Sequence, residues 1–183
     1  MKLFARLAAL TLFVAACASP GPTISTNSNP ATDFTVFKTY NFASPLGTDR
    51  PGGLQTPLST MLMTTLAREM ENRGYVKSDD PDLLVNVFVN TEEKMSVRQV
   101  PTTSTYYGYR YGRYSTWGGY TTEVREYTKG TLVLDLVDAR QNMLAWEGTA
   151  TQRLSNSRGP VTQERVDEVV GLVMAQFPYG AMP

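Results

Sequence analysis

The chain has 183 residues, 42% hydrophobic and 19% charged, with 17 Lys and Arg against 17 Asp and Glu. That composition suits one modest globular domain rather than a disordered charged tail, and without a cationic excess the electrostatic basis for nucleic-acid binding is gone. Its zero His and single Cys exclude histidine bases, Ser-His-Asp triads, His-built zinc or haem sites, disulfides and Cys-rich metal sites, so no metal and no cofactor is expected.

Residues 1–16 carry Lys2 and Arg6 and then an apolar run from Leu7 to Ala16. The run is much shorter than the roughly 20 residues of a transmembrane helix, so it reads as a secretory signal. Val14-Ala15-Ala16-Cys17 resembles a bacterial lipobox, which implies cleavage before Cys17 and acylation of its thiol and new amino terminus. Several acyl chains, at about 0.8 kcal/mol per buried methylene, make such attachment permanent. The remaining side chains number 15 cationic against 17 anionic, so lipid rather than a basic patch would hold the protein at its membrane. Ala18 stands where lipoproteins retained at the inner membrane often carry Asp, and resemblance to that sorting rule implies the periplasmic leaflet of the outer membrane. Residues 17–32, rich in Ser, Thr, Asn, Pro and Gly, read as the lipidated Cys and a flexible tether.

A single domain is expected over residues 33–178, with 179–183 as a tail. Phe34, Val36, Lys38, Tyr40 and Phe42 alternate as in a first strand. After a Gly/Pro-rich loop, Thr56-Pro57 offers an N-cap and an N1 proline, and Leu58, Met61, Leu62, Leu66 and Met70 form one helical stripe. Gly74 is expected to end that helix in a left-handed conformation, with Tyr75 contacting Met70 in a Schellman motif. Asp79-Asp80-Pro81-Asp82 reads as a turn into a strand whose Leu83, Val85, Val87 and Val89 share an apolar face, with Leu84, Asn86, Phe88 and Asn90 on the other.

From Thr131 two extended runs flank the polar turn Ala139-Arg140-Gln141-Asn142, which predicts a hairpin. Leu132, Leu134 and Leu136 face the core together with Leu144, Trp146, Gly148 and Ala150, and Gly148 marks a bulge or a close backbone approach. Parity then puts Asp135 and Glu147 on the opposite face, opposed or diagonal on adjacent strands. A terminal helix follows on the stripe Val166, Val169, Val170, Val173 and Phe177, stopped by Pro178. The order implies an α+β two-layer sandwich, a mostly antiparallel sheet with two helices on one face; a partly closed barrel is the alternative.

Residues 101–120 interrupt this pattern with Tyr106, Tyr107, Tyr109, Tyr111, Tyr114, Trp117 and Tyr120 among glycines and two arginines. Such rings can stack on a partner, and the segment exceeds ordinary hairpin loops in length. It reads as a Tyr/Gly-rich insertion, either a partner-contact loop or one folded over its own sheet.

Together the lipobox, DFTVFKTYNF, DPDLLVNVFV, the Tyr/Gly interruption, GTLVLDLVDARQNMLAWEGTA and a terminal helix ending in FP resemble a bacterial lipoprotein family of unknown function, domain-of-unknown-function family 4136, over residues 33–178. The resemblance places Tyr40 and Phe42 in an aromatic first-strand signature, and Asp135, Asp138 and Trp146-Glu147-Gly148 in a hairpin pattern. Glu147 departs from the basic residue many members carry there. The resemblance implies an α+β envelope domain and no substrate.

The leading expectation is therefore a non-enzymatic outer-membrane lipoprotein, held to membrane lipid through Cys17, whose domain contacts an envelope protein or glycan through the seven rings. The alternatives are a periplasmic hydrolase using Asp135 and Glu147 as paired carboxylates, and a passive structural subunit of an envelope complex. Oligomeric state is not legible in the sequence.

Overall fold

A computed structural model describes residues 21–108, 113–154 and 159–181, with side chains described outside 102–118. Six strands form one sheet in the order β1-β6-β5-β4-β2-β3, with β1 Thr23–Ser28, β2 Thr39–Phe42, β3 Val76–Lys77, β4 Leu83–Gly108, β5 Arg113–Asp138 and β6 Met143–Leu154. β2 runs parallel to β3 and β4, and the other pairs are antiparallel. Two helices, α1 Pro57–Glu71 and α2 Gln163–Met174, complete the α+β sandwich. The order of strands is linear, with edges at β1 and β3, so the barrel alternative is not realised.

The core lies between the helices and one sheet face. Val85, Val87, Leu134, Leu136, Trp146 and Ala150 meet Leu62, Leu66, Met70, Val166, Val170 and Val173 there, all buried. Thr56 caps α1 by accepting from the Ser59 amide at 3.0 Å, and Thr162 caps α2 through the Arg165 amide. Gly74 has φ +87°, the Tyr75 amide donates to the Met70 carbonyl at 3.1 Å and the Gly74 amide to Glu71 at 2.9 Å. These are the two bonds of a Schellman ending. The valine stripe of α2 is covered as expected, and Phe177 packs edge-on to Trp146 with ring centres 5.0 Å apart.

Five local expectations are corrected. The proposed first strand begins instead with a 3₁₀ turn over Phe34–Val36, capped by Asp33, whose carboxylate accepts from the Thr35 amide and hydroxyl. A three-residue turn puts Phe34 and Phe37 into the core together, which alternation cannot do, and only Tyr40 and Phe42 remain on the strand's inner face. Residues 23–28 of the proposed tether are β1, paired along β6 from Thr23 opposite Thr151 to Ser28 opposite Trp146, with Ile24 packed against the core. Residues 179–181 of the expected tail also join the body: Tyr179 stacks on Phe34 at 3.8 Å, and the Ala181 amide donates to the Arg73 carbonyl.

In the hairpin, Leu136 faces Trp146 while Val137 faces Leu144, so Ala145 is an extra residue in β6. The bulge buries Ala145 and turns Leu144 outward, against the expected core position. Gly148 is instead the close approach: a Cβ there would lie 2.4 Å from the Trp146 ring and 2.5 Å from Val173. The Tyr/Gly-rich segment is no separate insertion, because β4 continues unbroken to Gly108 and β5 resumes at Arg113 in the same register.

Candidate functional site

Parity places the carboxylates where expected. Asp135 and Glu147 are directly opposed on β5 and β6, flanked in the same row by Asn86 on β4 and Asn27 on β1. Burial, and then the neighbouring Glu147 carboxylate, raise the Asp135 carboxyl above its ordinary value, and its Oδ1 is buried without a hydrogen-bond partner. Asn86 is occupied elsewhere, since its Oδ1 accepts from the Gly47 amide at 2.9 Å. The loop carrying Gly47 thus lies across this face, with Gly47 backed against the Phe88 ring.

Sequence reasoning missed a second carboxylate. Asp82 was one of three acids in a turn, yet its Oδ2 accepts from the Lys38 and Thr39 amides and the Thr39 hydroxyl at 2.9, 3.1 and 3.0 Å, while Oδ1 meets Arg140 at 2.8 Å. Burial opposes ionisation there, but these hydrogen bonds and the guanidinium together hold its carboxyl below the usual value. Only the parallel pairing of β2 with β4 brings Thr39 beside it, so no local sequence signal marks the role. Asp138 accepts from the Arg140 and Gln141 amides at 2.9 Å each and so shapes the β5–β6 turn. Tyr40 is a core phenol whose ionisation is pushed up to about 12 by burial, and secondarily by Glu71. Asp82 and Asp138 are staples rather than reacting groups.

The remaining candidates lie on the β4–β5 pair. β6 ends with Leu154 opposite Thr128, which in turn faces Glu93. Beyond that row, among the described residues, Lys94–Gly108 and Arg113–Tyr127 pair only with each other, an arm of about 50 Å at roughly 3.4 Å per residue. One face carries Met95 opposite Glu126, Val97 opposite Val124, and Tyr120 opposite Pro101; the exposures of Met95, Val97, Val124 and Tyr120 are 70%, 66%, 56% and 76%. The other face sets Arg98 opposite Glu123 and Ser96 opposite Arg125, with ion pairs Lys94–Glu92 at 2.9 Å and Arg125–Glu123 at 2.7 Å. Of the seven predicted contact rings, Tyr120 is exposed on the face that carries Met95, Val97 and Val124. Tyr106, Tyr107, Tyr114 and Trp117 sit on the backbone of the two strands, and their side chains lie outside those described. Tyr109, Tyr111 and the lipidation residue Cys17 lie outside the described residues. Among the described residues no cluster of three metal-ligating side chains occurs, and no helix is long and apolar enough to cross a membrane.

The chain belongs to the family called Domain of unknown function (DUF4136), whose profile matches residues 24–179. The match begins inside β1 and ends at Tyr179. No match was found among curated proteins. Among solved structures, a DUF4136 family protein of Bacteroides thetaiotaomicron is similar with a TM-score of 0.54 and 16% identity, over 89% of this chain and 99% of that one. A PDZ domain protein of Parabacteroides distasonis is similar with a TM-score of 0.51 and 18% identity over 87% of this chain, which spans only 36% of that protein. The PelC dodecamer of Paraburkholderia phytofirmans aligns at a TM-score of 0.46 and 14% identity, over 88% and 99% of the two chains. At these identities the first two likenesses are of fold alone.

Proposed function

We propose that this DUF4136 domain is a non-enzymatic interaction module of the bacterial envelope, lipidated at Cys17 and held at the periplasmic leaflet of the outer membrane, that captures an envelope protein along its β4–β5 arm. The carrying observation is the row of exposed Met95, Val97, Val124 and Tyr120 on a ribbon that no other strand or helix covers among the described residues. A two-stranded ribbon in water is marginal by itself, and its outer edges offer unpaired ladder groups that a partner strand can take up. Aromatic and aliphatic side chains supply the large desolvated surfaces on which protein interfaces depend. The hydrolase alternative is disfavoured by placement: Asp135 and Glu147 stand on the sheet face opposite the helices, and neither lines the cleft on the helix-bearing side.

Crosslinking of the intact protein in its native envelope tests the reading. The triple substitution Met95→Thr, Val97→Thr and Val124→Thr keeps strand-forming residues and should abolish a specific crosslinked partner while leaving the unfolding midpoint unchanged. Asp135→Asn with Glu147→Gln should leave capture intact. Unaltered capture by the triple variant sinks the arm as the contact surface. Separately, Cys17→Ser should eliminate metabolic palmitate labelling, and equal labelling would refute the anchor.

A further inference from the structure

The helix-bearing side of the sheet holds a cleft of about 630 Å³, within the range of about 300–1,000 Å³ occupied by small-ligand sites. It arises where the first turns of both helices stop short of the rows in which β4 and β5 leave the body. Leu62 and Val166 are buried in its wall, and Leu58, Leu132 and Val169 are partly buried beside them. Gly130 contributes no side chain, and the space a Cβ would take is bounded by Leu154 at 3.0 Å. Among the described residues lining it, Arg165 alone is charged. Its guanidinium engages Gln152 and Glu168, and a guanidinium has five N–H donors, so donors remain for a ligand.

We propose that this cleft binds a single-chain anionic lipid of the long-chain fatty acid class, its hydrocarbon against Leu58, Leu62, Leu132, Val166 and Val169 and its carboxylate at Arg165. An interior without charge accepts hydrocarbon and rejects polar metabolites, because each unpaired polar group placed there forfeits its hydration. One guanidinium in a lining that is mainly aliphatic, with Thr91, Thr131, Gln152 and Thr162 as its uncharged polar side chains, matches one anionic head group. Glu168 shares that guanidinium and opposes a dianionic head more than a monoanionic one. Pro22 is part of the lining and Cys17 lies five residues upstream, a span of at most about 18 Å at roughly 3.6 Å per residue, so a lipidated chain keeps the cleft beside a source of such lipids. That supply argument rests on the anchor proposed above; the chemistry of the cleft does not.

The test uses photoactivatable palmitate and the intact protein in phosphatidylcholine nanodiscs, with adduct positions read by mass spectrometry. Adducts should fall on α1, α2 and the adjoining rows of β5 and β6. Palmitate should compete about 10-fold better than hexadecanol, and Arg165→Gln should erase that preference. Val169→Trp, which fills the cleft, should cut labelling about 10-fold with the unfolding midpoint unchanged, and Leu132→Phe serves if that variant does not fold. Cleft labelling that persists in unanchored Cys17→Ser protein supports the site even if the anchor assignment fails. Adducts outside the cleft, or labelling insensitive to the filling variants, overturn the proposal. So does labelling of the Cys17→Ser chain alone, since the protein's own acyl chain would then be the occupant.

Discussion

The same two strands live in two environments. Within the body, β4 and β5 are flanked by β2 and β6 and covered by both helices, and Val85, Val87, Leu134 and Leu136 are buried. In the arm the register continues without a slip, yet Met95, Val97 and Val124 are mostly exposed. Backbone pairing is therefore indifferent to what determines stability here, and coverage of the faces is what separates core from surface. Apolar side chains of similar size should differ several-fold in worth according to which side of the Glu93–Thr128 row they occupy.

The largest expected effect is in the body. Leu136→Ala should cost about 2–5 kcal/mol, whereas Val97→Ala in the arm should stay within about 0.5 kcal/mol, both read by urea unfolding. Comparable losses would mean that the arm is covered in the isolated protein. Gly74→Val should cost about 1 kcal/mol or more, because a β-branched residue resists the observed positive φ, and a crystal structure showing φ unchanged would assign the loss to strain.

A smaller effect concerns Asp135, whose folded-state pKa is raised by burial first and Glu147 second. The folded state then holds that proton more tightly than the unfolded chain. The associated stability is present below the usual Asp range and is lost as pH rises through the raised value. Asp135→Asn should accordingly gain on the parent protein as pH is taken from acid to neutral, and a pH-independent difference would remove the carboxylate pair as a source of strain. The smallest stability change is expected from excising Lys94–Tyr127 and joining Glu93 to Thr128 through Asn-Gly, a turn suited to opposed residues. A body that fails to fold after excision would abolish the distinction between the two regions.

Legibility in the sequence follows the same division. Both helices, the Thr56 cap, the Gly74 ending and the shared face of Asp135 and Glu147 could be read because one face of each element is buried and imposes a period. β1 escaped because an edge strand of Ser, Thr and Asn needs only its backbone to pair, and Ile24 alone touches the core. The arm escaped because neither of its faces is packed by the body, so charged and Thr residues occur on both. Asp82 escaped because its partners at Lys38 and Thr39 are 44 and 43 residues away. The cleft is formed by five elements, both helices and β4, β5 and β6, and has no local pattern at all.

The unbroken arm register also bears on how the body is assembled in time. Leu83 and Asp138 are 55 residues apart in sequence, yet they are joined to Gly108 and Arg113, five apart, by one continuous ladder. Pairing that starts at the near end can advance row by row, so each step closes only a short additional loop rather than the whole 55-residue span at once. The arm then acts as a zipper that delivers the two central strands to each other already aligned. The excised protein reaches the same alignment by one short hairpin, and the two should fold at similar rates despite their different contact orders. A circular permutant opened within the arm keeps every contact of the body but loses the zipper, and it is the form expected to fold slowly.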